Sequence, residues 1–418
     1  MLYQGYRVIA FQLAAGDGAR LWPLVASGLQ SKATLRFLGK RLAYYTIDRV
    51  EDADIKNLIV AVKYDDIEVR KKLRIGEHYK GFDSVSFVMP KEEFFHPDEP
   101  LRFRGTADAV WQNADALKGF EYAVVVPCDH VTNVDLGALV ERAIFNHEKY
   151  GAVITTAAME KPLDEIKLKL GNPQLDQNGR VVNWKEKPET PISNLAALGI
   201  YAGPVGPMLK AIERSGNDFG RNVLKQLREE GLLYCHYYPG HEYYWNDVGT
   251  RELLLQAARD YREGRIKNVK VPFHLVNIKT RAGGIIENSA VSTEDRQPEV
   301  YGVIRNSVLG YNTMIDQGVL VTGSIFVGDN SAKATQEKPI KMKLEIGGVT
   351  DAVNGIRTVI EDAIIGRRAH VSNTDLHNVD VGRSAMLQRC TIKPGIGIRP
   401  DAQLYDENIT SDYQREDG

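Results

Sequence analysis

The stretch Leu13-Ala-Ala-Gly-Asp-Gly-Ala-Arg-Leu21 follows the apolar run Val8-Ile-Ala-Phe-Gln-Leu13 and puts Gly16, Gly18 and Arg20 into a tight turn. Exposed N–H groups of such a turn can cradle phosphate oxygens, and an arginine beside them offers a planar fork for the same anions. A purely structural strand-to-helix turn is the other reading. The dinucleotide fingerprint needs a third glycine where Leu21 stands, and the sequence has no G-x-x-x-x-G-K-[ST] phosphate loop. Asp129 is a second candidate. It follows the apolar run Ala123-Val-Val-Val126, so its carboxylate belongs at a strand's carboxyl end, where open α/β sheets bind ligands. Read alone, Asp129 and Asp247 could equally be loop caps.

The elements that must position these residues change character along the chain. From residue 1 to about 265, short apolar runs alternate with helical patterns, the mark of a mostly parallel sheet covered by helices. Strands are expected at 7–13, 57–62, 122–126 and 152–156, and helices at 66–74, 106–117, 135–149 and about 250–263, the last ending at Gly264. Beyond about 285 a period of six takes over. Val303, Leu309, Ile315, Val321 and Val327 recur at that step, as do Val308, Met314, Leu320 and Phe326, with Gly310 and Gly328 at corners. After a polar insertion at about 329–357 the series resumes with Val359, Ile365-Gly366, Val371, Val381, Leu387, Ile392 and Ile398. A sixfold step fits neither a helix nor a flat strand; it fits a solenoid of three short strands per turn, one inward aliphatic residue per hexapeptide. The expected division is 1–265, a linker at 266–285 and a solenoid at 286–418.

Bulk properties narrow the function classes. The 418 residues allow two domains, and 43% hydrophobic with 26% charged residues describes a globular chain. A net charge of −2 gives no global field for nucleic acid or an anionic membrane, so neither partner is expected. The N-terminal apolar stretch is too short to span a bilayer and lacks the flanks of a secretory signal, so a cytoplasmic location is expected. Cys128, Cys235 and Cys390 are too scattered for a zinc site or a disulfide framework, and Cys235 and Cys390 read as buried thiols.

Taken together, the motifs resemble those of sugar-1-phosphate nucleotidyltransferases. Leu13-Ala-Ala-Gly-Asp-Gly-Ala-Arg-Leu-Trp-Pro-Leu24 is similar to their L-A-G-G-x-G-T-R-L-x-P-L signature, and Arg104-Gly-Thr-Ala-Asp-Ala-Val-Trp-Gln-Asn113 resembles a segment of the ADP-glucose pyrophosphorylase branch. Further matches occur in family order: residues 31–40, Cys128-Asp-His130, Trp184-Lys-Glu-Lys-Pro188, Leu198-Gly-Ile-Tyr201, Asn217-Asp-Phe-Gly220 and Tyr244-Trp-Asn-Asp-Val-Gly-Thr250. The resemblance covers nearly the whole chain. It implies a Rossmann-like α/β catalytic domain followed by a left-handed β-helix of hexapeptide repeats, and adenylyl transfer from ATP to glucose 1-phosphate for glycogen or related glucan synthesis.

The site roles follow from the same resemblance. Leu13, Ala14, Ala15, Gly16 and Gly18 would approach the nucleotide, with Gly105, Thr106 and Gln112 near the purine. Arg20 and Lys32 would hold the β and γ oxygens as they become pyrophosphate. Asp129 and Asp247 would bind Mg2+, whose preference for hard oxygen ligands suits carboxylates. Glu186, Lys187, Ala197, Gly199 and Asp218 would face the sugar phosphate, Lys187 as a point charge on a flexible stem. His130 has no required role as a base, because the attacking phosphate is already ionised, and a structural hydrogen-bonding role is the alternative. A homotetramer is implied, or a hetero-oligomer with a related chain.

Five positions depart from the pattern: Ala15 for the first glycine of the pair, Ala19 for threonine, Cys128 for glycine, Ala33 for proline and Ala197 for serine. They keep two alternatives open, a non-catalytic regulatory subunit and a transferase for another sugar such as mannose 1-phosphate. An acyltransferase built on the solenoid is disfavoured, since the repeats are few and interrupted. The loop 24–32 is longer than its family counterpart, where part of an effector site lies, so allosteric behaviour does not carry over.

Overall fold

The computed structural model describes residues 5–25, 31–63, 67–94, 101–280, 283–293, 298–310 and, in shorter pieces, most of 313–411. The repeat positions Val327, Gly328 and Gly366 and loop residues 26–30 lie outside the described residues. The chain divides into two compact units, Met1–Gly16 with Leu42–Asp247, and Asp17–Arg41 with Val248–Gly418.

The first unit is built on seven strands: β1 (Val8–Leu13), β2 (Asn57–Ala61), β3 (Ser84–Val88), β4 (Tyr122–Pro127), β5 (Ile154–Glu160), β6 (Leu195–Pro204) and β7 (Leu233–Tyr238). Their order is β7-β5-β6-β4-β1-β2-β3, parallel throughout except that β6 runs antiparallel to both neighbours. The expected strands are present within a few residues, with β5 shifted toward its carboxyl end. β1 and β4 are apolar on nearly every residue because helices cover both faces. Phe11, Val125, Ile154 and Phe219 lie in one buried cluster with Trp184 and Tyr201.

Helices α1 (Leu42–Asp52), α2 (Thr106–Gln112) and α3 (Leu136–Tyr150) belong to this unit. The Asp135 carboxylate caps α3 by accepting from the Ala138 N–H at 3.0 Å, and Gly151 ends it at φ 70°. Helix α1 ties two strand ends together. Gln12 Nε2 on β1 donates to the Ala43 carbonyl at 2.9 Å and to Thr46 Oγ1 at 2.7 Å, and the Thr46 hydroxyl donates to the Pro127 carbonyl at 3.0 Å. The carboxyl end of β4 is thereby fixed against β1.

The second unit carries a left-handed β-helix. Three faces stack in parallel register: one pairs Val303 with Leu320, the next Val308 with Ile325, the third Met314 with Ser331. Each partner lies 17 positions on, and the next step, Ile360 to Leu376, is 16. Between them the step from Val321 to Ile360 is 39, because an antiparallel hairpin, Ile340–Ile346 with Val349–Ile356, is inserted there. The solenoid core contains Ile304, Leu309, Ile315, Val321, Phe326, Ile365, Val371, Val381, Leu387 and Ile398. The inward residue of the first hexapeptide is therefore Ile304. Val303 packs with Leu320 in a separate cluster, and Met314 is exposed. Helix α4 (Arg251–Arg262) belongs to this unit and ends before Gly264 at φ 72°. Cys128, Cys235 and Cys390 are all buried, and none of them is in a disulfide. Among the described residues, no helix is long and apolar enough to cross a membrane.

Candidate active site

At the carboxyl ends of β1 and β4, Leu13 pairs with Pro127, and the Cys128 N–H donates to the Leu13 carbonyl at 3.0 Å. The chain then continues through Ala14, which is buried, to Ala15 and the exposed Gly16. A Cβ on Gly16 would meet nothing within 4 Å, so packing does not demand a glycine there. On the neighbouring strand end stand Asp129 and His130.

A second, distant segment is brought to Asp129 by a short ladder. Residues 130–132 pair antiparallel with residues 245–247, setting Asp247 opposite His130 and Trp245 opposite Thr132. The ladder is locked from both sides: Thr132 Oγ1 donates to the Tyr244 carbonyl at 2.9 Å, and the Tyr244 N–H donates to Asn133 Oδ1 at 2.6 Å. Asp129, His130 and Asp247 consequently place possible ligand atoms within 4.8 Å of one another. Two carboxylates at this separation are a hard-oxygen donor set that fits a divalent cation.

The sugar-side residues form a second cluster in the same unit. Glu186 ends a two-stranded hairpin opposite Gly171, and its carboxylate fills the space that a Cβ on Gly220 would enter, 2.8 Å from Oε2. Burial raises the Glu186 carboxyl above the usual range; Asp218 pushes the same way, while Lys187 and Arg221 oppose it. Lys187 is exposed and held at φ 49°, left-handed for a non-glycine residue, with its N–H donating to the Leu170 carbonyl at 3.2 Å. Such strain is kept only where surrounding structure imposes it. Asp218 Oδ1 accepts from the Arg221 N–H at 3.0 Å, and Oδ2 lies 3.4 Å from the Thr106 hydroxyl.

Thr106 and Gly105 thus meet the Asn217-Asp218 turn directly. The Asn217 carbonyl accepts from the N–H groups of Ala107 and Asp108, and it lies 2.3 Å from where a Gly105 Cβ would stand. Only glycine allows this approach. Gln112 is 1% exposed: its Oε1 accepts from the Lys91 N–H, and its Nε2 donates to Asp108. Its amide is engaged in holding α2 against the loop before it. Ala197 is buried on β6, and Gly199 sits at φ 68° where the register of β6 slips between Ala197 and Tyr201. This bulge presents Gly199 to His130 and Pro127.

Gly18, Arg20 and Lys32 belong to the second unit. Gly18 adopts φ 66°, and a Cβ there would lie 2.8 Å from Val25 Cγ1 and 3.3 Å from Lys32 Cβ, so this glycine is demanded by packing. Lys32 is buried and Arg20 is exposed. Arg20 lines a cavity of about 300 Å3 with Trp22, Arg251, Glu252 and Asp380. Arg251 Nε donates to Asp380 Oδ1 at 2.8 Å, yet burial pushes the Asp380 carboxyl up to about 6, outweighing the guanidinium.

Three supporting residues were not read from the sequence. Gln12 and Thr46 fix the strand ends, and a lone polar residue inside the β1 apolar run was the available signal for Gln12. Trp245, next to Asn246-Asp247, donates through Nε1–H to His130 Nδ1 at 3.1 Å.

A doubly wound sheet with carboxylates gathered at its strand ends defines an α/β enzyme handling a charged ligand, here joined to a β-helix unit. The nucleotidyl transferase family model matches residues 9–264, and the chain belongs to that family. It is also similar to the glucose-1-phosphate adenylyltransferase of Fervidobacterium nodosum (strain ATCC 35602 / DSM 5306 / Rt17-B1), 29% identical over 377 residues that cover 85% of this chain and 84% of the relative.

Proposed function

We propose that this chain transfers an adenylyl group from ATP to glucose 1-phosphate, yielding ADP-glucose and pyrophosphate. The observation that carries the reaction type is the meeting of Asp129 and Asp247 at the strand ends of a nucleotidyl transferase. The adenylyl and glucosyl identities rest on the similarity to the Fervidobacterium enzyme along most of both chains.

A phosphate oxygen of the sugar phosphate attacks the α-phosphorus, and the bond to the β-phosphate oxygen breaks, with pyrophosphate leaving in line. Because the nucleophile is already ionised, the protein's work is positioning and charge neutralisation. Asp129 and Asp247 would hold a divalent cation, Mg2+ by the hardness of their oxygens, which supplies electrostatic stabilisation of the transferred phosphoryl group. Backbone N–H groups from Leu13 to Gly18 would receive the triphosphate, with Arg20 and Lys32 on the leaving oxygens. Lys187 would take the sugar phosphate. Glu186 and Asp218 would accept from sugar hydroxyls, beside Ala197 and Gly199. Gly105, Thr106 and Gln112 would shape the purine side. A homotetramer acting in the cytoplasm belongs to the same reading.

Pyrophosphate release should be measured with Mg2+ across a panel of nucleoside triphosphates and sugar 1-phosphates. ATP with glucose 1-phosphate is expected to give the highest kcat/KM. A higher value with mannose 1-phosphate would reassign the sugar. Binding of ATP without turnover by any pair would favour a regulatory subunit, the reading that Ala15 and Ala19 in the phosphate turn motivate.

A further inference from the structure

His130 stands among the possible metal ligands, yet its surroundings assign it another task. The indole N–H of Trp245 donates to His130 Nδ1 at 3.1 Å, and a tryptophan can only donate. Nδ1 therefore carries the lone pair, and the ring proton is on Nε2. That nitrogen lies 3.8 Å from Asp129 Oδ1. With one nitrogen accepting from the indole and the other bearing a proton, neither offers a lone pair to a cation.

The ring is held on further sides. Trp245 meets it edge to face at 5.1 Å, and the Trp245 carbonyl accepts from Lys161 Nζ at 3.2 Å. The β6 bulge closes on it as well: a Cβ at Gly199 would be 3.8 Å from His130 Cε1. The imidazole is buried, sits beside Asp129 in sequence and is paired with Asp247 across the ladder. One ring thus touches the segments carrying both carboxylates and the bulge assigned to the sugar.

We propose that His130 is a positioning residue whose tautomer is fixed by Trp245, aiming its Nε2–H at Asp129 so that the cation is held by Asp129 and Asp247 without a nitrogen ligand. This rests on the reading of those two aspartates as the metal carboxylates.

The test uses the full-length protein labelled with 15N-histidine and loaded with Mn2+. Pulsed electron paramagnetic resonance should show no directly bound histidine nitrogen. A nitrogen coupling that disappears in His130→Gln would overturn the assignment. That readout requires no substrate, so it decides the ligand set even if the sugar or nucleotide assignment fails. In turnover, His130→Phe fills the space without an N–H and should lower kcat about 10- to 100-fold with little change in either KM, the usual scale for losing a group that orients a metal ligand. His130→Gln, which restores an N–H near the Nε2 position, should recover most of that loss. Wild-type kcat in His130→Phe would refute the positioning role.

Discussion

Gly16 and Gly18 look alike in the motif, but they answer to different demands. Gly18 is left-handed at φ 66° and packed against Val25, whereas a Cβ at Gly16 would enter open space. Gly18→Ala should therefore cost about 1–2 kcal/mol of stability, the scale of a left-handed non-glycine residue, read as a lower urea midpoint. Gly16→Ala should leave that midpoint unchanged while raising the KM for ATP, because the space it fills is where the nucleotide would approach. Equal destabilisation of the two variants would show that Gly16 serves the fold. The glycines and Asp129 were legible because each follows an apolar strand. Asp247 was not legible from its own surroundings: it reaches Asp129 through a three-residue ladder 115 residues away in sequence, and only the resemblance pointed to it. Trp245 carries no local signal of its role, since nothing in the neighbouring sequence predicts which histidine an indole will meet.

Two groups on strands, the half-buried His236 and the buried Asp380, tilt stability with pH in opposite directions. On β7, burial and Arg142 lower His236 to about 4, so the unfolded chain binds the extra proton first. Stability from this group is complete above its unfolded pKa near 6.5 and is lost as pH falls toward 4, amounting to about 3 kcal/mol. Asp380 behaves conversely: its folded pKa of about 6 exceeds the unfolded value of 3.8, so its contribution is greatest below 3.8 and is lost as pH rises through 6. Urea titrations from pH 4 to 7 check both. His236→Gln should remove a rising slope and Asp380→Asn a falling one; unchanged slopes would contradict the assigned environments. Among the elements, β1, β2 and β4 were legible from apolar runs, broken in β1 only by Gln12. β6 was missed because Gly199 and Pro204 break the pattern of a strand, and the residue that hid it makes the bulge at the site. β3, an edge strand with partly exposed residues, lacked the run that marked its neighbours.

For the whole molecule, the period of six announced a solenoid, but the coil length of 16 or 17 and the inward position of Ile304 emerged only from the register. Corners absorb a residue without disturbing the stack, so strict counting drifts. The inserted hairpin lengthens one coil step from 17 to 39, and removing 22 residues, 335–356, should restore the 17-residue step. Circular dichroism should show the β-helix retained and the melting temperature within a few degrees; loss of the fold would mean the hairpin is part of the core. The proposed activity is adenylyl transfer at the site where Asp129 and Asp247 meet. Its most direct test follows the label of α-32P ATP in the presence of glucose 1-phosphate and Mg2+. Label is expected in ADP-glucose with the wild-type chain, and about 10²–10³-fold less with folded Asp129→Asn, the scale of losing one electrostatic element of such a site. Label that remains in ATP with the wild-type chain, or an Asp129→Asn protein as active as wild type, would contradict it.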